Sequence, residues 1–131
     1  MYKTVLVNEL VEEGERLIKR LESRRFHIAA AFWYYFEDLM RWRLVIVFST
    51  LVDREGPLRA YMHIQEALAQ TQAKELLVSD ISVMRLNGYE FRELRSLVQR
   101  SVPVRSRTRR PWPRSLNPGR QEDAHIYRWA I

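Results

Sequence analysis

The chain has 131 residues, 47% of them hydrophobic, and a formal charge of +6, enough for one globular domain with a substantial core. It contains no cysteine, which excludes disulfides, thiolate zinc sites and a cysteine nucleophile. Its longest apolar runs, Ile28–Phe36 and Leu44–Phe48, fall short of the roughly 20 residues of a membrane-spanning helix. Met1 leads through Tyr2 and Lys3 into an acidic segment without a signal-peptide pattern, so a soluble, cytoplasmic protein is expected.

The charge is unevenly placed. Up to Gln99 the chain carries 14 Lys/Arg and 14 Asp/Glu, whereas from Arg100 to Ile131 it carries 8 Arg and 2 acids, Glu122 and Asp123. A neutral body with a basic last quarter bears on partners rather than on fold.

Val7, Leu10, Val11, Gly14, Leu17, Ile18 and Leu21 recur at helical spacing among charged residues, which predicts an amphipathic helix over 8–24 with Asn8 as its N-cap. Gly14 falls on the apolar stripe, where it lowers helix propensity and leaves room for a strand to approach. The stretch 26–51, FHIAAAFWYYFEDLMRWRLVIVFSTL, reads as a β-hairpin with its turn near Glu37 and Asp38. An odd loop, with Phe36 opposite Trp42, would gather Phe26, Ile28, Phe32, Tyr34, Phe36, Trp42, Leu44, Ile46 and Phe48 on the core face. Trp33, Tyr35, Arg41 and Arg43, with His27, would then share the lighter face.

Asp53 to Pro57 marks the end of the second strand and the start of another helix, with Leu58, Tyr61, Met62, Gln65, Leu68 and Ala69 as its stripe to about Gln72. Leu76–Val78 fits either a short strand or the helix end. Ile81–Leu86 reads as a third strand closed by Asn87-Gly88. A third helix, 89–100, turns Phe91, Leu94, Leu97 and Val98 inward. Residues 101–121, SVPVRSRTRRPWPRSLNPGRQ, hold four of the five prolines, no acid and no period, the mark of a functional or disordered loop. The closing residues 124–131 read as a last strand. The expected fold is a single α+β domain over 1–131, in the order α-β-β-α-β-α-loop-β. Its sheet is expected to be mostly antiparallel, with about four strands and three helices mainly on one face.

Three functional readings follow. The first is a non-catalytic accessory protein that binds RNA or DNA through Arg100, Arg105, Arg107, Arg109, Arg110, Arg114 and Arg120. Guanidinium groups neutralise and fork onto phosphates, and Trp112 among them can stack on an unpaired base. The alternative is a protein-interaction subunit or homodimer that uses the hairpin face of Trp33, Tyr35, Arg41 and Arg43. The third is a metal-dependent nuclease using acids at strand ends, Glu37, Asp38, Asp53, Glu55 and Asp80, residues that turns and caps also recruit. His27, His63 and His125 lack metal-ligand spacing. There is no glycine-rich phosphate loop, and no cofactor is expected.

Overall fold

The fold is built on the helical repeat near the N-terminus and the hairpin that follows it; the computed structural model describes residues 6–101 and 124–131. Helix α1 (Asn8–Ser23) buries Val11, Leu17, Ile18 and Leu21, the stripe its spacing dictates. Asn8 is its first residue and Val7 takes the cap position, without a side-chain cap. The hairpin strands are β1 (Ile28–Phe36) and β2 (Arg41–Phe48). A one-turn helix α2 (Leu51–Glu55) then breaks at Gly56, where φ is +87°, a conformation that glycine adopts without strain. Pro57 opens α3 (Pro57–Thr71), as a residue with fixed φ and no N–H should. The ambiguous Leu76–Val78 region leads into a 3-10 turn, Val78–Asp80, rather than a strand or the end of α3. Strand β3 (Ile81–Arg85), helix α4 (Tyr89–Ser101) and strand β4 (Ala124–Trp129) complete the described elements.

The four strands form one sheet in the order β3-β2-β1-β4. β1 pairs antiparallel with both β2 and β4, whereas β2 and β3 are parallel. The sheet is therefore mixed, because the connection from β2 to β3 crosses over through α2 and α3 and returns the chain in the same direction. Among the described residues the helices are four rather than three; three of them lie on one face, as expected, and α4 covers the other. The α1, α2 and α3 side covers Ile28, Ala31, Trp33, Leu44, Ile46 and Phe48. Phe91, Leu94 and Val98 of α4 cover the opposite face, against Ala30, Phe32, Val45, Val47, Ile126 and Trp129. With both faces covered, the central strands are apolar in nearly every residue, as strands buried on two sides must be.

The hairpin register differs from the odd-loop expectation. Phe36 pairs with Arg41 and Tyr35 with Trp42, so the loop is the four residues 37–40, with Met40 at φ +53°. This one-residue change exchanges the faces of β1 relative to β2. Trp33 and Tyr35 go to the core side with Trp42 and Leu44, and Arg41 and Arg43 share the other face with Tyr34 and Phe36. A bulge at Ala29, between the pairs Ile28–Phe48 and Ala30–Val47, keeps Ile28 on the α1 side with Ala31 and Trp33.

A second irregularity lies between β1 and β4, where the register shifts from Ala31–Arg128 to Phe32–Ile126. The extra residue is Tyr127, and the bulge sends both Tyr127 and Arg128 to α1, the re-aiming that bulges provide. Tyr127 donates its hydroxyl proton to the Val11 carbonyl and accepts from Trp33 Nε1 at 2.9 Å. Arg128, almost wholly buried, holds Glu22 through Nε at 3.0 Å and Nη2 at 2.8 Å, and its Nη1 donates to the Tyr127 carbonyl at 2.9 Å. Gly14 makes the contact possible, since a Cβ there would lie 2.5 Å from Tyr127 Oη.

Glu13 ties α1 to the segment after α3. Its buried carboxylate accepts the backbone N–H groups of Lys74, Glu75 and Leu76 at 3.2, 2.9 and 2.8 Å. Burial works against the charge, but the three donors and the nearby Arg16 outweigh it, and the carboxyl is held below the ordinary carboxylate range. The α3 stripe also differs from expectation. Ala60, Ile64, Ala67 and Leu68 face inward, and Leu58 and Met62 face out, 73% and 50% exposed.

Candidate functional site at the hairpin tip

Of the arginine-rich set, Arg100 belongs to the last turn of α4, while Arg105, Arg107, Arg109, Arg110, Trp112, Arg114 and Arg120 lie outside the described residues. The described residues on either side of it are Ser101, which closes α4, and Ala124, which pairs with Tyr34 of β1.

Trp33 and Tyr35, expected on an open face, are interior, 1% and 6% exposed. Trp33 is held by Tyr127, and Tyr35 lies edge-on to Trp42 with ring centroids 5.5 Å apart. The even loop puts them there, so they do not share a surface with Arg41 and Arg43. Those arginines serve the neighbouring strand. Arg41 Nη2 pairs with Asp80 Oδ1 at 2.8 Å, and Arg43 donates to Ser82 Oγ at 2.6 Å and to the Ile81 carbonyl at 3.0 Å.

The half-buried aromatics beside Arg41 and Arg43 are instead Tyr34 and Phe36, edge-on with centroids 5.1 Å apart. Together with Leu94 and Leu97 of α4 they floor a cleft of about 580 Å³, rimmed by Glu37 and Asp38 of the hairpin loop and by Glu90 and Glu93 of α4. Leu97, expected inward, is 45% exposed in this cleft. Tyr89 donates its hydroxyl to Glu93, and that bond and the carboxylate's charge raise the phenol above its ordinary value. Two cleft residues lie near the described positions that flank 102–123 in sequence: Leu97 is one turn before Ser101 in α4, and Tyr34 pairs with Ala124 of β4.

Three of the five acids proposed for metal-assisted cleavage have local duties. Asp80 accepts the Leu77 N–H at 3.0 Å in addition to Arg41, Asp53 pairs with Arg85 at 3.4 Å, and Glu55 contacts His63 Nε2 at 3.3 Å. Among the described residues no three acids or histidines gather at metal-binding distance. His125 lies edge-on to Tyr127, and His63 packs on Phe26. None of the described helices is long and apolar enough to cross a membrane.

The cleft aromatics were missed because choosing them depended on loop parity; the acidic rim was missed because its halves come from segments 50 residues apart. No family model matches the chain, and no curated protein or solved structure is significantly similar to it.

Proposed function

We propose that this protein is a non-catalytic accessory factor that binds nucleic acid electrostatically through the arginine-rich stretch after Arg100. The observation that carries the reading is the division of charge: a body neutral through Gln99, then 8 arginines against 2 acids in the remaining residues. Arg128 is committed to Glu22, which leaves the arginines from Arg100 to Arg120 as the basic charge of this reading.

In this mechanism each arginine that reaches a phosphate releases condensed counterions, and Trp112 adds stacking on unpaired bases. If five arginines engage a single strand, log K falls with log salt with a slope of about −3.5. Replacing Trp112 by alanine weakens single-strand binding by about 1–3 kcal/mol and leaves duplex binding nearly unchanged.

The test is fluorescence anisotropy with a labelled single-stranded oligonucleotide across a salt series. Wild type is compared with a variant in which Arg105, Arg107, Arg109, Arg110 and Arg114 are alanine. The expected result is salt-sensitive binding that the variant loses. Equal affinity in the two proteins, or binding indifferent to salt, removes the proposal.

A further inference from the structure

We infer that the outer face of α3 is a self-association surface, and that two copies of this chain pair through it antiparallel about a two-fold axis. The inference is independent of nucleic-acid binding and uses none of the arginine-rich stretch.

Leu58, Met62, Gln65 and Ala69 recur at i, i+4, i+7 and i+11 and all face outward on α3, forming a stripe about 16 Å long. Leu58 is 73% and Met62 50% exposed, although the opposite side of the same helix already supplies the core contacts through Ala60, Ile64 and Leu68. A helix that buries one face and carries Leu58, Met62 and Ala69 on a second stripe, broken only by Gln65, departs from the one-sided pattern of a surface helix. Pro57, next to Leu58, borders an apolar groove of about 500 Å³ with Val83, Met84 and Tyr89, which extends the surface past the end of the helix.

Charge selects a second copy as the occupant. Arg59 and Glu66 stand two turns apart on one flank of the stripe, opposite in sign. An axis crossing α3 between Met62 and Gln65 lays Met62 of one copy against Gln65 of the other. The same operation brings Arg59 of one copy beside Glu66 of the second copy, and does so twice, as a closed two-fold interface requires. Within one chain these two side chains are only loosely held. Arg59 lies 4.0 Å from Glu55 and Glu66 3.8 Å from Arg24, both exposed, and such pairs are easily exchanged for better ones.

The experiment is sedimentation velocity of the full chain from low to high micromolar concentration, in wild type and four variants. Wild type should show a reversible monomer–dimer equilibrium. Met62→Glu, which sets like charges close together across the axis, should weaken it at least tenfold. Arg59→Glu and Glu66→Arg should each weaken it several-fold, and the double exchange should return the affinity to near the wild-type value. All the substitutions are on the exposed face, and circular dichroism confirms that each variant is folded. A monomer at every concentration overturns the inference. So does a dimer unmoved by Met62→Glu, or a double exchange that fails to recover what the single exchanges lose.

Discussion

Trp33 and Tyr127, 94 residues apart, meet inside the protein through a 2.9 Å hydrogen bond from the indole N–H to the phenol oxygen. The phenol passes its own proton to the carbonyl of Val11 in α1, so one hydroxyl joins β1, β4 and the first helix. Gly14 leaves the space the ring occupies.

This arrangement reverses the usual effect of replacing a helical glycine. Alanine at Gly14 gains about 1 kcal/mol of helix propensity, but its Cβ would stand 2.5 Å from Tyr127 Oη, and overpacking of this kind costs about 1–3 kcal/mol. Loss of the Trp33 and Val11 hydrogen bonds adds to the cost. Gly14→Ala is therefore expected to lower stability by about 1–2 kcal/mol in urea unfolding. Tyr127→Phe removes the clashing oxygen, so the double variant should be more stable than the sum of the two single losses predicts. Simple additivity of the two would show that Gly14 and Tyr127 do not compete for this space.

Glu13 gives stability a definite pH dependence. Its folded carboxyl titrates below the unfolded one, so the folded state binds fewer protons in that range. Its contribution is complete above the unfolded value of about 4.3 and is lost as pH falls through the lower, folded value. Glu13→Gln should be less stable than wild type at neutral pH, by about 1–3 kcal/mol if the amide fails to satisfy all three donors. The gap should begin to narrow as pH falls through about 4.3 and close only once pH has passed below the lower, folded value, where the wild-type carboxyl is protonated too. Unfolding curves from pH 7 to pH 3 test this, and a gap independent of pH would mean that the carboxylate charge is immaterial.

How far the sequence revealed this structure depends on whether an element has one buried face or two. The α1 stripe and the α4 residues Phe91, Leu94 and Val98 were legible because charged residues mark their outer sides. β1 was legible as a strand, yet its faces were not, since Ala30, Phe32, Trp33 and Ala31 are all buried and alternation carries no signal when both sides are apolar. The same ambiguity misplaced the α3 stripe, where Leu58 and Met62 outweighed Ala60 and Ala67 by size alone. Asn87-Gly88 marked the turn into α4, but nothing local distinguished a parallel β3 from an antiparallel one. At the candidate site the arginine density was plain, whereas the acidic cleft arises only when α4 is laid beside the hairpin loop.

The register of the hairpin can be checked by paired truncations. Trp33 is fully enclosed and hydrogen-bonded, so Trp33→Ala should cost about 3–5 kcal/mol, the loss including the indole donor to the Tyr127 oxygen. Phe36 is only partly buried at the cleft, and Phe36→Ala should cost less than half as much. With an odd loop the order would be reversed, Phe36 lying in the core and Trp33 on the lighter face. Chemical denaturation of the two variants therefore decides between the registers, and a smaller loss at Trp33 than at Phe36 would contradict the pairing of Tyr35 with Trp42.

The acidic rim also makes a prediction about nucleic-acid binding. Glu37, Asp38, Glu90 and Glu93 surround a cleft that also takes in Tyr34, the partner of Ala124, and Leu97, one turn before Ser101. At low ionic strength their field reaches farther than about 10 Å and opposes the approach of phosphate to that end of the molecule. Neutralising two of them in a Glu90→Gln, Glu93→Gln variant should strengthen oligonucleotide binding several-fold in 20 mM salt. The gain should fade towards 0.5 M salt, where the screening length is only about 4 Å. The arginine contribution has a different signature, since removing arginines flattens the salt slope, whereas removing acids raises affinity and steepens the slope. An affinity unchanged by the two glutamines at low salt would place the bound phosphates beyond the reach of the rim, away from the hairpin tip.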